Sequence, residues 1–278
     1  MALIDFIKAH TQDINNYQQP AFDWKLKKNG KPYKVIEDVT DHKGPMAEAI
    51  QVIPEKLDRT SVVKCFRKDI YTGFVATLLW GGMHKDVNLK RHFKALAKVD
   101  KTVIEEKLSR IKKMLEENKP GEALASMLRG IYADKEERNE NHIDGISVSY
   151  ATKLLYFLTN GMSLNHNLRP LIYDQFLANA HCALLTDRDK HIPYYVYDEK
   201  DGIMRLSIYI LAHTAEIYTH YCKLMAETAE ECGIEKVYNL EAWLFGRRVT
   251  EKDKEDNPRY ISMVQAIEAE RNWAASLV

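Results

Sequence analysis

Apolar residues recur along this chain at three- and four-residue intervals, and that spacing predicts a protein built mainly of helices. The clearest stretch is Thr102 to Glu117, where Val103, Ile104, Leu108, Ile111, Met114 and Leu115 fall on one stripe. Thr102 and Glu105 have the form of a capping box at its start, and Asn118, Lys119, Pro120 and Gly121 break it. Glu122 to Tyr132 predicts the next helix, ahead of the polar run Ala133 to Asn141. Val62 to Trp80 reads as a buried helix stopped by Gly81 and Gly82. Met204 to Glu231 reads as a long amphipathic helix with Gly233 as its stop, and Pro258 to Val278 as the last. The first sixty residues break this rhythm. Asn15 to Lys34 is polar and holds Pro20 and Pro32, while Lys34 to Val39 reads as one short strand. Asp187 to Asp201, with Pro193 and three tyrosines, is a second irregular stretch.

The expected architecture is therefore mainly α: a two-lobed helical domain over residues 61–278, carrying a short irregular or β N-terminal appendage over residues 1–60. Eight prolines and twelve glycines in 278 residues are too few for the turns of a β-sandwich. A membrane helix needs roughly 20 apolar residues. The densest apolar run here, Phe74 to Trp80, is seven long. Asp5 and Lys8 interrupt the first apolar stretch, so a secretory leader is not expected. Cys65, Cys182, Cys222 and Cys232 form no Cys-x-x-Cys pair, which argues against a disulfide framework or a zinc ribbon. His213 and His220 lie seven apart on one predicted helix without a third ligand, so structural histidines are expected rather than a metal site. A cytoplasmic protein without metal, cofactor or membrane contact is the expectation.

Charge changes the picture only through its distribution. Forty basic residues balance forty acidic ones, so the chain is no polycation. Between Ser61 and Lys113, however, thirteen Lys or Arg face five Asp or Glu, and Lys25 to Lys34 holds five Lys and no acid. Between Ala183 and Phe245 the balance is reversed, six against eleven. Such polarisation allows one basic face for phosphates. Long helices with solvated charges would give the same counts.

The chemistry concentrates in His142 to Ala180. Ile143-Asp144-Gly145-Ile146-Ser147 precedes a helix that starts near Val148 and carries Ala151. An apolar-x-Gly-apolar-Gly turn with a small residue one turn into the next helix is a helix-hairpin-helix. Its free backbone N–H groups take a DNA phosphate and read no sequence. Here Ser147 replaces the second glycine. With Pro170-Leu171-Ile172-Tyr173-Asp174 downstream, the segment resembles the helix-hairpin-helix DNA glycosylases, and within them the bacterial 8-oxoguanine-glycosylase-like branch. Tyr218-x-x-Tyr221-Cys222, Glu230-Glu231-Cys232-Gly233 and Leu240-Glu241-Ala242-Trp243 also resemble that branch.

The resemblance implies excision of a modified purine from DNA by base flipping. It further implies partners encoded in antiphage operons. In the family a lysine four residues after the first hairpin glycine attacks the sugar C1′, and an aspartate some twenty residues later supports it. The lysine position holds Ser149, and Lys153 follows one turn later on the same face. Asp174 fits the aspartate and opens a helix, where the dipole favours negative charge. Two mechanisms stay open. Lys153 forms an imine with C1′ and supports β-lyase chemistry, or Asp174 activates water while Lys153 binds phosphate. Gly145, Ile146, Ser147 and Ser149 would grip backbone, and Trp80 and Tyr173 would line the base pocket. Structural alternatives stand beside these roles: a solvated lysine, an aspartate that only caps a helix, aromatics of the core. The rival function is a retired glycosylase fold that serves as a nucleic-acid- or partner-binding subunit.

Overall fold

The computed structural model describes residues 2–27, 29–128, 139–164, 168–186, 195–198, 203–206, 214–246 and 257–276. Within them the chain runs through α1 (Leu3–Ala9), α2 (Thr11–Asn15), β1 (Phe22–Asp23), α3 (Lys34–Asp41), α4 (Pro45–Val52) and β2 (Lys56–Leu57). It continues through α5 (Arg59–Lys68), α6 (Ile70–Trp80), α7 (Lys90–Leu96), α8 (Lys101–Glu116), α9 (Pro120–Met127) and α10 (Val148–Gly161). The last elements are α11 (Gln175–Thr186), β3 (Tyr195–Asp198), β4 (Ile203–Leu206), α12 (Thr214–Glu231), α13 (Val237–Gly246) and α14 (Pro258–Ser276). The protein is mainly α, and β1 with β2 and β3 with β4 form two small antiparallel pairs. Among the described residues no helix is long and apolar enough to cross a membrane.

The chain divides into two compact units, Pro20–Pro170 and Met1–Gln19 with Leu171–Val278. The residues expected as one appendage are thus shared out, the first nineteen to one unit and the rest to the other. Lys34 to Val39 is helix rather than strand: the buried residues of α3 are Val35, Ile36 and Val39, a helical and not an alternating set.

In the unit of residues 20–170, the single helix expected over Val62 to Trp80 is two. Asp69 stands between them in extended conformation, and its carboxylate accepts from the Thr72 N–H and hydroxyl, each at 2.7 Å. A side chain that satisfies the first turn of α6 in this way ends α5 and starts a new helix. The same chemistry moves the start of α8. Asp100 accepts from the Thr102 N–H at 2.8 Å, so Asp100 and not Thr102 is the cap. The predicted helix Glu122 to Tyr132 is α9, begun by Pro120. Tyr132 and most of Ala133 to Asn141 lie outside the described residues.

Almost all of α10 is buried, and it packs on α5, α6, α8 and α9. Phe66 of α5 fills two notches there. A Cβ on Gly73 of α6 or on Gly161 of α10 would lie 2.3 Å from its side chain. Gly161→Ala should therefore cost about 1–3 kcal/mol through forced repacking, read as a lower urea midpoint.

In the other unit α11 packs along α14, with α12 and α13 beside α11. The N-terminal helices are tied down by Lys8 to Glu231 at 2.8 Å and by Phe6 against Trp243, 5.6 Å between centroids. Of the helix expected over Met204 to Glu231, residues 214–231 are helix α12 and residues 204–206 belong to β4, while residues 207–213 lie outside the described residues. Gly233 ends α12 with φ +66°. The last helix runs as expected from Pro258.

Candidate functional site

The turn ahead of α10 depends on a left-handed residue. Gly145 has φ +86°, and a Cβ there would lie 2.9 Å from His92 Cβ, so conformation and crowding both require glycine. The Ile146 N–H donates to the Ile143 carbonyl at 3.1 Å, and both isoleucines are buried, which pins the turn to the core. Exposed Ser147 is the N-cap of α10 but its side chain caps nothing; its carbonyl accepts from Tyr150 and Ala151 at 3.0 and 2.8 Å. At the next two positions the Val148 and Ser149 N–H groups have no partner within the helix, the arrangement that takes an anion.

Several basic residues of the sequence surplus brace this turn. Lys107 of α8 donates to the His142 carbonyl at 2.5 Å, and Arg110 Nε to Asn141 Oδ1 at 2.8 Å. The His142 ring spans from the Met127 carbonyl at 3.0 Å to Asp144 Oδ1 at 3.1 Å. Arg91 Nε lies 3.4 Å from Nε2 of His92, the residue against Gly145.

One helical turn into α10 the lysine turns back. Lys153 is 5% exposed, and its Nζ donates to Ser149 Oγ at 2.5 Å and to the Ser149 carbonyl at 3.1 Å. The amine also stands 5.3 Å from the Tyr150 ring centroid. Tyr150 is fixed in turn by donating to the Gly81 carbonyl at 2.8 Å, and burial pushes its hydroxyl pKa up. Trp80, 6% exposed, meets Phe157 edge-on at 5.0 Å and lies under the Arg59 guanidinium at 5.6 Å. Lys153, Ser149, Ser147, Ile146 and Gly145 are thus brought together on one turn and one helix start.

Tyr173 and Asp174 belong to the other unit. There Asp174 precedes α11, and its Oδ1 accepts from the Phe176 and Leu177 N–H groups at 3.0 and 3.2 Å. It is a helix cap, and among the described residues its Oδ2 has no hydrogen bond. The segment before it is held from α12. Tyr218 donates to the Leu171 carbonyl at 2.6 Å and Tyr221 to the Ile172 carbonyl at 2.9 Å. Tyr173, 1% exposed, lies 4.6 Å from the Tyr221 ring. Its hydroxyl meets His181 Nδ1 at 3.1 Å, and His181 Nε2 meets His220 Nδ1 at 3.0 Å.

A family model described as putative 8-oxoguanine DNA glycosylase OGG-like protein matches residues 31–245. This chain belongs to the OGG-like family. Comparison with curated proteins and with solved structures finds no match.

The OGG-like match takes in the hairpin, Lys153 and Asp174. Tyr218 and Tyr221, part of the segment that resembles the family, are buried. Their spacing could not reveal that both hydroxyls hold the two backbone carbonyls before the aspartate. His220 is part of a hydrogen-bonded chain, whereas His213 lies outside the described residues. Among the described residues no group of three or more His, Cys, Asp or Glu side chains is placed so that it could hold a metal ion.

The buried histidines set a pH dependence. Burial first, then neighbouring His220, push the His181 pKa from its ordinary 6.5 down to about 3. Burial likewise takes His84 to about 4. Between these values and 6.5 the unfolded chain binds protons that the folded protein refuses. Stability carried by the neutral rings is therefore whole above about pH 6.5 and drains away as pH falls. Urea midpoints should drop between pH 6.5 and 4, and His181→Gln should flatten that drop.

Proposed function

We propose that this protein is a DNA glycosylase that removes an 8-oxoguanine-like purine, with the Lys153 amine as nucleophile and Asp174 as the carboxylate that supports the sugar's developing positive charge. The observation that carries the reading is the Lys153 Nζ at 2.5 Å from Ser149 Oγ. Family resemblance places a nucleophilic lysine at position 149; here the longer path from position 153 delivers an amine to that same turn. An amine on a side chain only 5% exposed is poorly suited to a solvated phosphate contact, which favours the covalent mechanism over the phosphate-binding one.

Attack by the neutral amine forms a nitrogen–C1′ bond while the bond from C1′ to the base breaks, and the base leaves with a proton gained. Loss of the amine protons and sugar ring opening give an imine. Removal of a C2′ proton then expels the 3′ phosphate, which is the β-lyase step. Asp174 suits its role because Oδ1 is fixed by two N–H groups while Oδ2 has no hydrogen bond among the described residues. The base must first leave the stack, and the hairpin would hold the flanking phosphate through the Val148 and Ser149 N–H groups. Action alongside other antiphage-operon proteins is part of the proposal on resemblance alone.

The test is excision and strand cleavage on duplexes that carry 8-oxoguanine, deazaguanine, uracil or an abasic site. Cleavage at a modified purine is expected, whereas inertness on every lesion would favour the binding-subunit reading. Binding should also weaken steeply with salt as neutralised phosphates release counterions. Gly145→Val should cost at least about tenfold in affinity for any duplex, since a β-branched residue resists φ near +86° and meets His92.

A further inference from the structure

Five large hydrophobic side chains are exposed among the described residues, and four of them are the aliphatic Leu26, Val52, Val87 and Val103. The fifth is Phe176, an aromatic ring 39% exposed and two residues from Asp174. It occupies the second position of α11, where side chains lean toward the helix N-terminus and so toward the cap carboxylate. Its backbone N–H is one of the two that hold Asp174 Oδ1, so ring and carboxylate share one rigid turn. The ring is also braced. The Arg259 guanidinium of α14 stacks 4.0 Å from its centroid and lies 5.2 Å from that of Phe245. A surface aromatic fixed by a cation in this way gives up little freedom when it meets a ligand.

From these observations we infer that Phe176 is the aromatic platform against which the extruded purine stacks beside Asp174, with Arg259 as its brace. The inference rests on the glycosylase reading for its substrate class. A purine offers a broad π face, and stacking on a ring is the contact that needs no hydrogen-bond register. Tyr173, the other aromatic beside Asp174, has its face against Tyr221 and its hydroxyl on His181. Phe176 is the ring left open to solvent.

The test measures affinity, by fluorescence anisotropy of the full chain, for two duplexes. One carries 2′-fluoro-8-oxo-2′-deoxyguanosine, whose 2′ fluorine opposes loss of the base; the other carries guanine in its place. The parent should prefer the lesion duplex. Phe176→Ala should lose at least about tenfold of that preference with affinity for the guanine duplex unchanged. Phe176→Leu should lose it as well, because it keeps an apolar side chain but has no π face, and Phe176→Tyr should retain it. An unchanged preference in Phe176→Ala, an equal loss on both duplexes, or a parent without preference would overturn the platform. Excision is scored separately on the unfluorinated lesion. A parent that excises while Phe176→Ala keeps its preference sinks the platform alone. A parent whose preference depends on Phe176 but which never excises upholds the platform and sinks the catalytic reading.

Discussion

Asp174→Asn should lower the single-turnover rate of base excision by about 10²–10⁴-fold, the range a positioned acid–base or charge-stabilising group supplies. The loss would come from Oδ2, which accepts no hydrogen bond among the described residues. Oδ1 is committed to the Phe176 and Leu177 N–H groups, and an Asn carbonyl accepts those two bonds as well. Asn also caps helices about as well as Asp, so stability should change by less than about 0.5 kcal/mol. What disappears is the negative charge on Oδ2, which in the proposed mechanism would stabilise the sugar as it becomes cationic. DNA affinity should hold or rise slightly, since a carboxylate near phosphates has been neutralised. A variant that excises at the parental rate would leave Asp174 as a helix cap and nothing more.

Lys153→Gln should remove strand cleavage entirely and lower base excision by at least about 10³-fold, as expected when a nucleophile is lost. Duplex affinity should be nearly unchanged, because an amine directed at Ser149 and largely out of solvent contributes little to phosphate binding. This pattern separates the two mechanisms. Were Asp174 to activate water with Lys153 as a phosphate contact, the same substitution would spare excision and weaken binding. Gln can still donate to the Ser149 carbonyl, so a circular dichroism spectrum and urea midpoint near the parent's are the expected controls.

The local setting of each candidate residue was legible in the chain before its structure. Gly145 at a turn before an apolar helix, Lys153 one turn beyond the expected position, and Asp174 at a helix start are all local facts, and local spacing is what a sequence displays. The misreadings have a common physical cause. Asp69 and Asp100 act through side-chain hydrogen bonds to the first turn of the helix that follows, which no hydrophobic stripe reports. α3 looked like a strand because Val35, Ile36 and Val39 are β-branched, whereas burial on one helix face decided its form. The tyrosine clamp on Leu171 and Ile172 joins positions 47 and 49 residues apart. The Arg259 stack on Phe176 spans a larger interval still. Contacts of that range are written in the fold rather than in any window of sequence.

The most direct measurement is the site of covalent attachment. The protein is incubated with an 8-oxoguanine duplex and borohydride, digested, and the DNA-bearing peptide is sequenced by mass spectrometry. The account predicts a reduced adduct on Lys153 and on no other lysine. Excision that proceeds with no adduct, or an adduct on a different residue, would contradict it.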